Sequence, residues 1–161
     1  MRGPVRRFEL EGAALVFEED KKILHCRDLG EGESRRWVKK LPDVLYVAAV
    51  LEDAKLYYVA CDYTATDGIF LALEKESGTT AWFIPGRSLM HVLYHGFLYL
   101  VFVDGDGNYF LIKAETGQGG KVWHHRVDED LYEYSFYRDR ITLLYRSGKK
   151  DVLSAGEGKL L

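Results

Sequence analysis

The residues in this sequence that could do chemistry are few and scattered. Asp104-Gly105-Asp106-Gly107-Asn108 opens like a calcium loop, with carboxylates at the first and third places, Asn at the fifth and Glu115 at the twelfth. The glycine that such a loop needs at its sixth place is Tyr109. Asp-Gly and Gly-Asn also form hairpin turns. A turn between two strands is therefore expected, with Asp104, Asp106 and Asn108 as secondary metal candidates. The histidines are His25, His91, His95, His124 and His125. His124 and His125 are neighbours and on a strand would face opposite ways. No Cys or carboxylate stands at zinc-ligand spacing beside them. Partly exposed sheet histidines are expected. Cys26 beside His25 pairs a thiol with an imidazole, but adjacent strand residues diverge. Cys61 lies in an apolar run and is expected to be a buried small hydrophobe. No Ser/His/Asp set, phosphate loop or spaced carboxylate pair stands out.

The elements that would position these residues follow from composition and pattern. The 161 residues carry 22 Lys+Arg against 25 Asp+Glu, a formal net charge of -3, with 47% hydrophobic residues. That is too apolar and too weakly charged for disorder. It lacks the basic surplus of a nucleic-acid binder, and no run reaches the length of a membrane span. One domain is expected. The N-terminus has no apolar stretch after its basic residues, so no secretory signal is expected. A cytoplasmic location with two free thiols is therefore the expectation.

Apolar runs of four to seven residues, rich in Val, Ile, Leu, Tyr and Phe, predict strands at 14–17, 56–61, 97–103 and 141–145. Aligned on Leu15, Tyr57, Tyr99 and Thr142, they recur in steps of 42, 42 and 43. A fixed period near forty is the mark of a repeat architecture. An inner strand precedes each (5–10, 44–51, 89–94, 131–137) and a third follows (23–27, 69–73, 109–113, 151–154). A fourth, outer strand carries Trp37, Trp82 or Trp123 (36–39, 81–84, 121–125). In the fourth unit the tryptophan strand is cut short after Gly158. The fold class predicted is all-β, a β-propeller of four antiparallel four-stranded repeats spanning 4–41, 42–86, 87–128 and 129–161.

The third strand and the turn after it resemble the repeat of quinoprotein-type (PQQ-type) β-propellers, roughly Ala-x-Asp-x-x-Thr-Gly-x-x-x-Trp. The second unit reads Ala72-Leu73-Glu74-Lys75-Glu76-Ser77-Gly78-Thr79-Thr80-Ala81-Trp82 and keeps the spacing throughout. In the third, Thr116-Gly117 is present and Trp123 comes two residues late. In the first, Asp28, Gly32 and Trp37 fit with one extra residue. The resemblance implies that Gly32, Gly78 and Gly117 make tight turns and that Trp37, Trp82 and Trp123 dock one blade on the next. The family's catalytic parts are a calcium-binding Glu/Asn/Asp set and a pair of adjacent cysteines under the quinone, and this sequence has no adjacent cysteines. The resemblance thus implies the fold and not the enzyme.

Arg35-Arg36 and Lys39-Lys40 around Trp37 are expected to guard an outer edge with charge. The alternation Tyr132, Tyr134, Phe136 is expected to stack between blades. The function expected is a non-catalytic binding or scaffold protein presenting loops on a propeller face. It would have a protein partner, no cofactor, and no dealings with nucleic acid or membrane. The alternative is a small-molecule, metal or quinone-dependent enzyme using the propeller channel. The repeats could close as four blades or, paired in a homodimer, as half of an eight-bladed ring.

Overall fold

The computed structural model describes residues 4–30 and 32–161. Among them are fifteen strands and no helix. β1 (Val5–Leu10), β2 (Ala13–Glu18), β3 (Ile23–Asp28) and β4 (Arg35–Lys40) form the first sheet. β5 (Tyr46–Glu52), β6 (Leu56–Asp62), β7 (Gly68–Glu74) and β8 (Thr80–Pro85) form the second. β9 (Arg87–Tyr94), β10 (Phe97–Val103), β11 (Tyr109–Glu115) and β12 (Lys121–Val127) form the third. β13 (Leu131–Tyr137), β14 (Arg140–Tyr145) and β15 (Lys150–Ser154) form the fourth, where Leu160 adds an isolated bridge to Leu153. Each sheet is an antiparallel meander in chain order, the all-β repeat architecture that the period predicts.

Short hairpins set these meanders. His95 and Gly96 join β9 to β10 with both φ positive (48° and 79°), the two-residue turn whose twist matches paired strands. His95 is therefore an exposed turn residue. Central strands β2, β6 and β10 are buried along nearly their whole length, while the outer strands β4, β8 and β12 alternate in and out. The chain divides into two compact units, residues 1–87 and 88–161. In the first unit Leu15, Phe17, Leu24 and Cys26 of the first sheet pack with Tyr57, Val59, Leu71 and Leu73 of the second. In the second unit Tyr99, Val101 and Leu111 pack with Ile141, Leu143 and Leu153. Tyr134 and Phe136 join that core, the Phe136 ring lying 4.8 Å from those of both Tyr94 and Tyr99, whereas Tyr132 and Tyr137 are exposed.

A β-bulge recurs where the outer strand begins. It follows Cys26, Ala72 and Lys113, and each of these residues stands directly opposite the tryptophan of its sheet. The register identifies the turn residue that precedes each tryptophan by four. Gly78 has φ +74° and donates its N–H to the Glu74 carbonyl, and Gly119 has φ +72° and donates to that of Glu115. Gly158 repeats the arrangement, with φ +70° and a bond to Ser154. Of the glycines chosen by motif spacing, Gly32 is a turn residue at φ +87°, and Gly117 is corrected. Gly117 lies two residues before the left-handed position, which Gly119 holds, so Trp123 is in register after all. In the first sheet Glu33, at φ 33°, takes this place beside Gly32. A Cβ added at Gly32 or at Gly117 would meet nothing within 4 Å.

Candidate functional site

The calcium-like segment is a closed hairpin turn. The Asp104 Oδ1 accepts the N–H groups of Asp106 and Asn108, both at 2.9 Å, and its Oδ2 lies 3.4 Å from the Asn108 Nδ2. Arg126 donates from Nη2 to the Asn108 Oδ1 at 2.7 Å. The Asn108 N–H, ahead of that of Asp106 and the Asn108 amide, holds the Asp104 carboxyl below its ordinary range. The carboxylate's acceptor sites serve the loop itself, and a guanidinium occupies the oxygen that would complete a cation site. Isothermal titration with CaCl₂ is expected to show no stoichiometric heat. Saturable uptake lost in Asp104→Ala would establish a metal site here.

The cysteines and histidines do not gather. Cys26 and Cys61 are free, buried, and in different sheets. Burial pushes the Cys61 thiol up to about 12, and burial above all raises Cys26 as well, so neither is a ready nucleophile. His25 is buried rather than partly exposed. Its Nδ1 has no partner among the described residues, its Nε2 lies 3.6 Å from the Glu18 carboxylate, and burial lowers its pKa. His124 is exposed against Phe110, and His125 turns to the opposite face, as neighbours on a strand must. Among the described residues no three His, Cys, Asp or Glu side chains come together to hold a metal ion.

The recurring construction is a docking station. The Trp37 indole lies on Gly78, where an added Cβ would sit 2.6 Å from two ring carbons, and its Nε1 donates to the Lys75 carbonyl at 2.9 Å. Trp123 repeats this on Gly158, at 2.4 Å, and donates to the Ala155 carbonyl at 2.9 Å. Both carbonyls stand three residues before the glycine. Both also accept a cation: Arg36 Nη1 at 3.1 Å on Lys75, and Lys113 Nζ at 2.9 Å on Ala155. Arg36 is tied to Asp28 and reaches the Tyr57 hydroxyl, while Lys113 is buried over the Phe97 ring at 4.2 Å. Trp82 sits among Tyr58 and Phe70 of its own sheet.

The basic edge around Trp37 is thus split by the register. Arg35 and Lys40 are exposed, Arg36 is part of the docking station, and Lys39 shares the inward face of Trp37 and Leu24. Alternation from Trp37 is the signal that places Lys39 inward. Arg36 escapes that rule because the bulge interrupts it.

Asp53 closes the turn between β5 and β6. It accepts the N–H groups of Lys55 and Leu56 at 2.8 Å each and the Tyr58 hydroxyl. Burial by itself would raise its pKa, but these three bonds and Lys75 outweigh it and hold the carboxyl low. A depressed carboxyl stabilises the fold fully above its unfolded value of about 4 and loses that contribution as pH falls through the folded value. Urea midpoints measured from pH 6 to pH 2 are expected to fall less steeply in Asp53→Asn than in the parent protein.

Arg6 organises a patch on the surface of the first unit. The Arg6 guanidinium lies 4.6 Å from the ring centre of Tyr46 and 5.0 Å from that of Phe8, and its Nη2 is 3.4 Å from the Ala48 carbonyl. No carboxylate among the described residues pairs with it. Tyr46 is 37% exposed and Leu45 beside it 58%.

Four antiparallel meanders, a bulge before each outer strand and tryptophans docked on turn glycines define a β-propeller-type repeat protein with the quinoprotein repeat fold. Among solved structures, it is similar to BamB from Moraxella catarrhalis (17% identity, TM-score 0.68, 99% of this chain and 51% of that one). It is also similar to the quinohemoprotein alcohol dehydrogenase ADHIIG from Pseudomonas putida HK5 (14%, 0.70, 96% and 33%). A third likeness is to the computationally designed Ika4 protein (9%, 0.68, 97% and 94%). The chain thus spans about half of BamB, a third of the dehydrogenase and nearly all of Ika4. No family model and no curated protein matches the sequence. The residues present do not offer the adjacent cysteine pair of a dehydrogenase-type quinone site, since Cys26 and Cys61 are buried in separate sheets.

Proposed function

We propose that this chain is a non-catalytic binding protein whose repeats present a surface to a protein partner, and that Arg6, Leu45 and Tyr46 are the centre of that surface. The observation that carries the reading is the Arg6 guanidinium, lying against two aromatic rings near exposed apolar side chains, with no carboxylate of its own among the described residues. Arg and Tyr anchors dominate binding energy at protein interfaces. A side chain already held in place loses less freedom on binding. The partner would bring an acidic side chain flanked by apolar ones. In this reading the protein works in the cytoplasm, where both thiols stay reduced.

A photo-crosslinking amino acid at Leu45, expressed in the native host, is expected to give one discrete protein adduct that disappears in Arg6→Glu. The absence of any adduct above the uncrosslinked control overturns the reading. The partner could be a second copy of the chain, with Tyr132 and Tyr137 of β13, 49% and 68% exposed, as further contacts. Light scattering is then expected to show twice 18.5 kDa, and a clean 18.5 kDa species in dilute buffer removes the homodimer.

A further inference from the structure

We propose that the cavity between the first and second sheets, walled by Leu41, Ile69 and Leu71 and headed by Lys39 and Tyr63, binds a small aromatic monocarboxylate of about benzoate size. It has a volume of about 160 Å³ and lies wholly within the first unit. A benzene ring occupies a space of this size, about 150 Å³. The walls are core side chains: Leu41 is buried, and Ile69 and Leu71 belong to the packed face of β7.

The polar end is built by register. Lys39 stands two residues beyond Trp37 on the face that meets the second sheet. Its Nζ has no hydrogen bond or ion pair among the described residues, and burial lowers its pKa with no carboxylate acting against it. Tyr63 lines the same space, as do the exposed Lys40 and Asp43, which carry opposite charges. Lys39 lines this space half-buried and without an ion partner among the described residues, so its ammonium carries a desolvation cost that a carboxylate in the cavity would offset.

The second unit supplies an internal comparison. The residue two beyond Trp123 is His125, and the places of Ile69 and Leu71, counted from the docking glycine, are held by Lys149 and Asp151. There the charges answer one another: Lys149 lies 3.6 Å from the Asp151 carboxylate, and both act on His125. In the first unit a lysine stands where the second has His125, and aliphatic walls stand where the second has Lys149 and Asp151. That is the composition of a pocket for an apolar anion, with a few placed polar groups setting orientation.

The test is an NMR titration of the full chain with sodium benzoate. Saturable shifts are expected at the Leu41, Ile69 and Leu71 methyls, with benzamide giving none. Lys39→Met, which keeps the length of the side chain, is expected to weaken binding by about tenfold or more, and Lys39→Arg by about threefold or less. Shifts that do not saturate, equal binding of benzamide, or a Lys39→Met variant that binds like the parent would each overturn the proposal. The benzoate–benzamide comparison needs only the parent protein, so the proposal stays testable if a variant fails to fold. It does not depend on the Arg6 surface.

Discussion

Gly78→Ala is expected to destabilise the protein by about 2–5 kcal/mol, measured by urea denaturation, whereas Gly12→Ala costs only about 1–2 kcal/mol. The two glycines have nearly the same backbone, φ +74° and +73°. An L-residue in the left-handed region pays about 1–2 kcal/mol in either place. They differ in what a Cβ would meet. At Gly12 there is nothing within 4 Å. At Gly78 the Cβ would lie 2.6 Å from the Trp37 Cδ2 and Cε3. The indole must then back away, and it cannot do so while its Nε1 holds the Lys75 carbonyl. Overpacking of this kind adds about 1–3 kcal/mol. Equal losses at Gly12 and Gly78 would mean that the docking contact contributes nothing beyond turn geometry. Gly158→Ala is the same experiment in the second unit, with Trp123 closer still at 2.4 Å.

The docking station also shows what could be read in the sequence and what could not. The bounds expected for the first inner strand and for β13 coincide with those observed, because alternation and turn residues act locally. The expected start of β5 at residue 44 is two residues early. The Val44 N–H turns back to the Leu41 carbonyl and that of Leu45 pairs with Asp62, so residues 41–45 form a corner that apolar content disguises as strand. The tryptophans announce themselves by type and spacing. The left-handed turn glycines do so only where the turn keeps standard length, which is why Gly78 is legible and Gly119 hides behind the more familiar Thr116-Gly117. Lys113 and Arg36 could not be assigned from sequence. Each becomes a carbonyl partner across two sheets, and a bulge decides its direction. The Lys39 cavity depends on the same cause: its walls come from residues 41, 69 and 71, brought to one place by sheet packing rather than by proximity in the chain.

Replacing Trp37 by Ala is expected to cost about 3–5 kcal/mol, the largest single effect in the first unit, and replacing it by Phe about 1 kcal/mol. Trp37 is 7% exposed and covers Gly78, Tyr57 and the edge of the first core. Truncation to Ala removes that buried surface and leaves a void that the rigid turn at Gly78 cannot fill. Phe retains most of the ring and loses the Nε1–H donor. The loss stays small because the Lys75 carbonyl still accepts from the Arg36 Nη1. The two donors are therefore partly redundant, and the prediction extends to a cycle. Arg36→Met in the parent leaves the carbonyl bonded to Trp37. Arg36→Met combined with Trp37→Phe leaves it part-buried without either side-chain donor, and that adds about 1–3 kcal/mol of desolvation beyond the sum of the singles. Chemical denaturation of the four proteins measures the coupling, and strict additivity would show that the shared carbonyl is not what joins the two residues. The same cycle on Trp123 and Lys113 is expected to give a coupling of the same sign, since Ala155 occupies in the second unit the place that Lys75 has in the first.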